Sequence, residues 1–129
     1  ISVNDRDKRH IGSIAQDYLR LGFDLVATEG TARVLRALGI LVKTVRRVSQ
    51  PSPNIGDMVA NGEIALMINT PYGHDTRDDG YYLRLQAVRH GVTNITTLAP
   101  AQALASAMET ARMGELPIIA LQDLPQVYL

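Results

Sequence analysis

The sequence predicts an α/β domain of three layers (α/β/α), with helices on both faces of a central, mainly parallel, five-stranded sheet. Three observations carry that expectation. Short apolar or β-branched segments alternate with segments of helical period along the chain, the pattern of successive βαβ units. One segment, Ile64-Ala65-Leu66-Met67-Ile68, is apolar without alternation, as a central parallel strand covered on both faces reads. Glycine follows the last apolar residue of most helical patterns, at Gly22, Gly39, Gly62 and Gly114, where helices stop.

In chain order, residues 1–4 read as the first strand. Apolar residues at 11, 14, 15, 18 and 19 then place an amphipathic helix over 7–21, which Gly22 terminates. A second strand over 23–27 leads into Thr28-Glu29-Gly30-Thr31-Ala32 and a second helix over 31–38, ended by Gly39. The third strand, 41–48, carries basic residues among its valines. Gln50-Pro51-Ser52-Pro53 is a loop, because each proline biases its predecessor away from helix; Asn54 with Asp57 resembles a capping box opening a short third helix. After the apolar fourth strand, residues 70–80 form a loop rich in Gly, Asp and His, of a length that is usually functional or mobile. Tyr82, Leu83, Leu85 and Val88 predict a fourth helix, 95–98 a fifth strand, 100–113 an alanine-rich fifth helix, and 116–121 a last extended segment.

At 129 residues the chain makes one domain, enough to bury roughly two-thirds of its unfolded surface. It has no cysteine, which agrees with a cytoplasmic protein and excludes disulfide scaffolds and thiolate metal sites. Thirteen basic and thirteen acidic residues cancel, so no general surface for nucleic acid or anionic membrane is indicated, and any anion site must be local. The apolar runs fall far short of the ~20 residues that span a bilayer, and no signal peptide is recognised. Ile1 already lies in a predicted strand and is no initiator methionine, so the expectation is a fragment of a longer, multidomain chain.

In a parallel α/β sheet ligands bind beyond the carboxyl ends of the strands. That rule gathers residues 4–8, 28–31, Arg47, Asn69 with Thr70, and Thr96 with Thr97. Lysine and arginine supply charge, threonine and asparagine supply hydrogen bonds, and a glycine turn at a helix N-terminus supplies backbone donors; together they suit a phosphate monoester. Thr28 to Thr31 is the centre of this set, with Gly30 allowing close backbone approach.

Each residue also has a plainer role. Thr28 is placed to cap the second helix. Lys8 at a helix start is disfavoured by ~0.3–1 kcal/mol, which a bound anion would offset, but a solvated lysine needs no ligand. Arg46 and Arg47 point to opposite faces of a strand, so one of them at most enters the site. Asn69 can bond its local backbone. His74, Asp75, Asp78 and Asp79 show no recognised ligand motif and read as surface charge; His10 and His90 have no evident catalytic partner. No metal is expected.

Asp7-Lys8, Ala27-Thr28-Glu29-Gly30-Thr31-Ala32, Asn61-Gly62-Glu63, Ile68-Asn69-Thr70-Pro71, Leu83-Arg84-Leu85-Gln86-Ala87 and Thr96-Thr97-Leu98 resemble, in order and spacing, the methylglyoxal-synthase-like domain of carbamoyl-phosphate synthase large chains. The resemblance covers nearly the whole chain, to about Met113, and implies a Rossmann-like sheet in one regulatory domain. It implies a domain without catalytic residues or cofactor, binding a nucleotide effector such as UMP or IMP. The parent would be a ligase using ATP with magnesium or manganese, serving pyrimidine or arginine biosynthesis. Its partners would be the rest of the large chain, a glutaminase small subunit and further copies of itself. By that resemblance the effector phosphate meets Lys8, Thr28, Gly30, Thr31, Arg47, Asn69 and Thr70, while Tyr72 and Asp79 are candidates for base or sugar contacts. Arg47 stands where relatives often carry lysine, exchanging a compact ammonium for a planar fork. Thr96 fits the ornithine-proximal pattern, from which Asn94 and Ile95 depart.

The enzymatic alternative is methylglyoxal synthase, which abstracts a proton from dihydroxyacetone phosphate and expels phosphate. That chemistry needs a carboxylate base and electrophilic histidines. Its relatives carry Gly-Gly-Asp-Gln-Gln where this chain has Pro51-Ser52-Pro53-Asn54-Ile55, and a histidine near the end of strand one where this chain has Asn4. A third expectation is a module used mainly for subunit association.

Overall fold

Among the described residues, parallel pairing beyond a single isolated bridge is confined to strands of three residues. The computed structural model describes residues 1–71, 77–114 and 120–123. Val26–Thr28 (β1) pairs in parallel with Lys43–Val45 (β2), and Leu66–Ile68 (β3) in parallel with Thr93–Ile95 (β4). The helices are Ile11–Arg20 (α1), Glu29–Ala37 (α2), Ile55–Ala60 (α3), Arg77–Arg89 (α4) and Leu98–Met113 (α5).

Among the described residues, the strands of the expected five-stranded parallel sheet pair as two parallel sheets of two strands. The segment expected as strand one lies between them and makes one isolated bridge, Ser2 to Asn69. It is nevertheless bonded on both sides. The Ile1 amine donates to the Val26 carbonyl at 2.7 Å, and Thr28 N donates to Ile1 O at 3.2 Å. On the other side Ser2 N donates to Ile68 O at 2.9 Å and Thr70 N to Ser2 O at 3.0 Å. The ladder then stops because hydroxyls replace carbonyls: Val3 N donates to Thr31 Oγ1 at 3.1 Å and Asn4 N to Thr70 Oγ1 at 2.9 Å.

Two apolar clusters lie on opposite faces of the strands, since neighbouring residues Met67 and Ile68 belong to different ones. The larger joins α1, α2 and α5 through Ile14, Tyr18, Leu35 and Ala101; the smaller joins α3 and α4 through Ile55, Leu83 and Ala87. Tyr18 locks α1 to α5 by donating to the Ala101 carbonyl at 2.7 Å. Among the described residues, no helix is long and apolar enough to cross a membrane.

Several boundaries move. The helix expected over 7–21 is a 3-10 turn, Asp7–Arg9, followed by α1. Asn4 sets that turn, its Oδ1 accepting from Asp7 N at 2.9 Å while its Nδ2 donates to Asp7 Oδ2 at 2.8 Å. The third strand keeps only the three residues that face β1, because Gln50 Oε1 accepts from Arg47 N at 2.8 Å and turns the chain. The loop expected over 70–80 is helical from Arg77, which lengthens α4 at its start. The fifth strand and fifth helix each begin two residues earlier than expected. The capping box at α3 is present, as are positive φ angles at Gly22, Gly39 and Gly62. Most of the extended segment expected over 116–121 lies outside the described residues.

Candidate functional site

Thr28 ends β1 and immediately precedes α2, so one peptide separates a buried strand from a helix N-terminus. Its hydroxyl does not cap the helix. It donates to Ser2 Oγ at 2.9 Å and makes no cap bond to α2, so the first amides of the helix lack the usual acceptor from the N-cap side chain. The capping role open to Thr28 from sequence is therefore not the one it takes.

Lys8 reaches the same helix turn from the 3-10 segment. A Cβ placed on Gly30 would lie 3.0 Å from Lys8 Nζ, so the missing side chain is what admits the ammonium. A cation over a helix N-terminus is unfavourable, and here Asp5 offsets it by pairing with Lys8 Nζ. That hydrogen bond, then the charges of Lys8 and Arg47, hold the exposed Asp5 carboxyl below the usual aspartate value. One carboxylate thus faces two of the cations assigned to the phosphate.

Beside this turn is a cavity of about 530 Å³, whose wall includes Thr28, Arg47, Asn69, Thr70, Asp79 and Arg84. Asn69 and Thr70 follow β3 and are buried; Thr70 Oγ1 already accepts from Asn4 N. Arg47 lies two residues past β2 and is half-buried. Asp79 Oδ2 accepts from Ser49 Oγ at 2.7 Å, tying the first turn of α4 to the turn after β2.

Five of the nine residues named from sequence, Thr28, Arg47, Asn69, Thr70 and Asp79, therefore share this wall. Lys8 and Gly30 sit beside it at the first turn of α2. Thr31 turns inward: it is fully buried, and its oxygen accepts from Val3 N. Tyr72 lies outside the described residues. Sequence reasoning missed Arg84 and Ser2. Arg84 follows Gly80 by four residues and Leu83 by one, a spacing that puts all three on one face of α4, and all three line the cavity. Starting that helix at residue 82 concealed the relation.

The model of the MGS-like domain family matches residues 10–96, a span containing every residue of the cavity wall except Ser2 and leaving Lys8 just outside. The chain is 50% identical over 125 residues to the protein named carbamoyl phosphate synthase large chain, C-terminal section, of Methanopyrus kandleri, covering 96% of this chain and 23% of that protein. It is 45% identical over 123 residues to the carbamoyl phosphate synthase large chain of Methanothermobacter thermautotrophicus, covering 95% of this chain and 12% of the relative. The chain thus spans less than a quarter of the length of these curated relatives. Among solved structures, methylglyoxal synthase from Elizabethkingia anophelis shares the fold, with a TM-score of 0.62 over 81% of this chain and 74% of that one, at 22% identity.

Proposed function

The chain belongs to the MGS-like domain family, and from that membership we propose that it is the effector-binding, regulatory domain of a glutamine-hydrolysing carbamoyl-phosphate synthase large chain. The observation that carries the reading is the uncapped turn of α2, with Lys8 over Gly30, beside a cavity walled by Arg47, Asn69 and Thr70. This arrangement suits a nucleoside monophosphate such as UMP or IMP. Its phosphate would accept from the α2 amides, Lys8, Thr28 and Arg47, with Asn69 and Thr70 adding polar contacts; Thr31 contributes through its amide and by fixing the turn. Sugar and base would extend toward α4, where Asp79 lies, and toward Tyr72.

Regulation requires that the effector bind two states of the parent enzyme unequally, by ~1–3 kcal/mol of coupling. The parent would be an ATP-dependent ligase whose catalysis lies in other domains with magnesium or manganese, and whose partners would include a glutaminase small subunit and other copies of itself. Large apolar side chains exposed on this domain, among them Leu41, Tyr81 and Val88, are candidates for such oligomer contacts.

Titration calorimetry with UMP, IMP and inorganic phosphate tests the site. Binding is expected, and Arg47→Ala should weaken it at least tenfold, the loss of one hydrogen bond to a charged group being about 1.5–3 kcal/mol. No heat from any of the three at millimolar concentration would overturn the reading.

The shared fold with a methylglyoxal synthase motivates the enzymatic alternative, which the carboxylates disfavour. Asp57 Oδ2 accepts from Ser52 Oγ at 2.6 Å and from Asn54 N at 2.8 Å, bonds that hold its carboxyl below the usual range. Asp57 is thereby committed to capping α3, and a weakened base is poorly suited to abstract a proton from carbon. Methylglyoxal formation from dihydroxyacetone phosphate by the pure protein would reinstate the enzyme.

A further inference from the structure

At the α4 end of the cavity three segments meet. Val48, which follows β2, and Tyr82 of α4 both close on Gly56 in α3: a Cβ placed there would stand 3.0 Å from Val48 Cγ2 and 3.3 Å from Tyr82 Cε1. The turn that carries Val48 is braced within itself. Gln50 N donates to Arg47 O at 3.0 Å, Arg47 N to Gln50 Oε1 at 2.8 Å, and Asn54 Nδ2 to Gln50 O at 3.0 Å. Ser49 sits on this turn, so its short side chain is aimed by backbone. Its hydroxyl donates to Asp79 Oδ2 at 2.7 Å, the length of a charge-assisted bond.

Arg84 is a competitor for the same carboxylate. Its Nη1 lies 3.8 Å from a Cβ placed on Gly80, so the guanidinium leans back along α4 over the neighbour of Asp79. Asp79, Gly80 and Arg84 all line the cavity, yet among the described residues Asp79 and Arg84 form no ion pair. A guanidinium offers a carboxylate paired N–H donors and a charge, which a hydroxyl cannot match. Asp79 is nevertheless turned to the hydroxyl. The wall therefore presents an acceptor and a donor side by side, in place of a neutralised pair.

Given the effector site proposed above, on which this assignment rests, we propose that Ser49 is a positioning residue for ribose. By holding one oxygen of Asp79 it keeps the carboxylate off Arg84 and free to accept from the vicinal hydroxyls of a ribonucleotide. A carboxylate has about four lone-pair sites, of which Ser49 takes one. A 2′-deoxy sugar brings one donor fewer to those that remain. Ser49 is not in the cavity wall itself and acts only through Asp79. Without its hydroxyl, Asp79 turns to Arg84 and sugar discrimination falls, while the phosphate end of the site at α2 and Arg47 is left in place.

The experiment is titration calorimetry on the 129-residue chain with UMP and IMP, each beside its 2′-deoxy form, and with inorganic phosphate. The wild-type chain should bind the ribonucleotide about tenfold more tightly than its deoxy form, as the loss of one hydrogen bond to a charged group implies. Ser49→Ala should remove most of that preference and leave inorganic phosphate affinity unchanged. Ser49→Thr, which keeps the hydroxyl, should retain the preference, and Ser49→Ala combined with Arg84→Ala should recover it, because the competitor is gone. An undiminished preference in Ser49→Ala, or none recovered in the double variant, would overturn the proposal. Equal weakening of phosphate and ribonucleotide by Ser49→Ala would do so too, by making Ser49 a prop for the turn. Phosphate binding by wild type without a ribose preference would remove the role of Ser49 and leave the effector site standing, whereas no binding of phosphate or nucleotide would remove both.

Discussion

Asp5 stands beside two cations of the proposed phosphate site. Its carboxylate pairs with Lys8 and feels Arg47, so on that proposal an incoming phosphate would have to displace it from at least one cation. Asp5→Asn should therefore raise phosphate or nucleotide affinity several-fold, measured by calorimetry at low ionic strength, with the gain shrinking as salt is added. An unchanged or weaker affinity would remove Asp5 from the site. Gly30→Ala separates binding from stability. Alanine in a helix position is favoured over glycine by ~0.5–1 kcal/mol, and the atom it meets is the flexible end of Lys8. The variant should thus melt no lower than wild type while binding phosphate more weakly, since the ammonium is pushed from the turn. Residue types were legible in the sequence at this scale, but side-chain directions were not. Thr28 and Thr31 look equivalent there; in the fold one hydroxyl reaches Ser2 at the cavity and the other is buried against Val3 N.

At the scale of elements, local chemistry decides the ends of α3. Asn54 Oδ1 accepts from Gly56 N at 2.9 Å and Asp57 reaches back to Asn54 N, the reciprocal cap that the Asn-x-x-Asp spacing predicts. Asn54→Ala should cost about 1 kcal/mol in urea unfolding. Asp57 is held below the usual aspartate value of 3.8, first by Ser52 and then by Asn54 N. Its contribution is therefore present at neutral pH and is lost as pH falls below that value through its lowered folded value. Unfolding at pH 7 and pH 3 should show the loss, and Asp57→Asn should make the two pH values more alike. The same Asn-x-x-Asp spacing at Asn4 and Asp7 forms the 3-10 turn, a signal that a reading for helical period alone passes over. Strand lengths were less legible, because hydroxyls and amides several turns away, such as Thr31 and Thr70, take the bonds that a longer ladder would use.

For the whole molecule, the first two residues tie the two sheets together, Ile1 bonding Val26 O on one side and Ser2 bonding Ile68 O on the other. The alternation of strand and helix and the glycine stops were determined by sequence, because period, caps and backbone freedom are properties of neighbouring residues. Tertiary structure alone decided which hydroxyls face the cavity, that Arg84 joins Arg47 in its wall, and that the sheet divides around Ser2. Those outcomes depend on hydrogen bonds such as Asn4 to Thr70 and Val3 to Thr31, which join residues far apart in the chain and become determinate only when the layers pack.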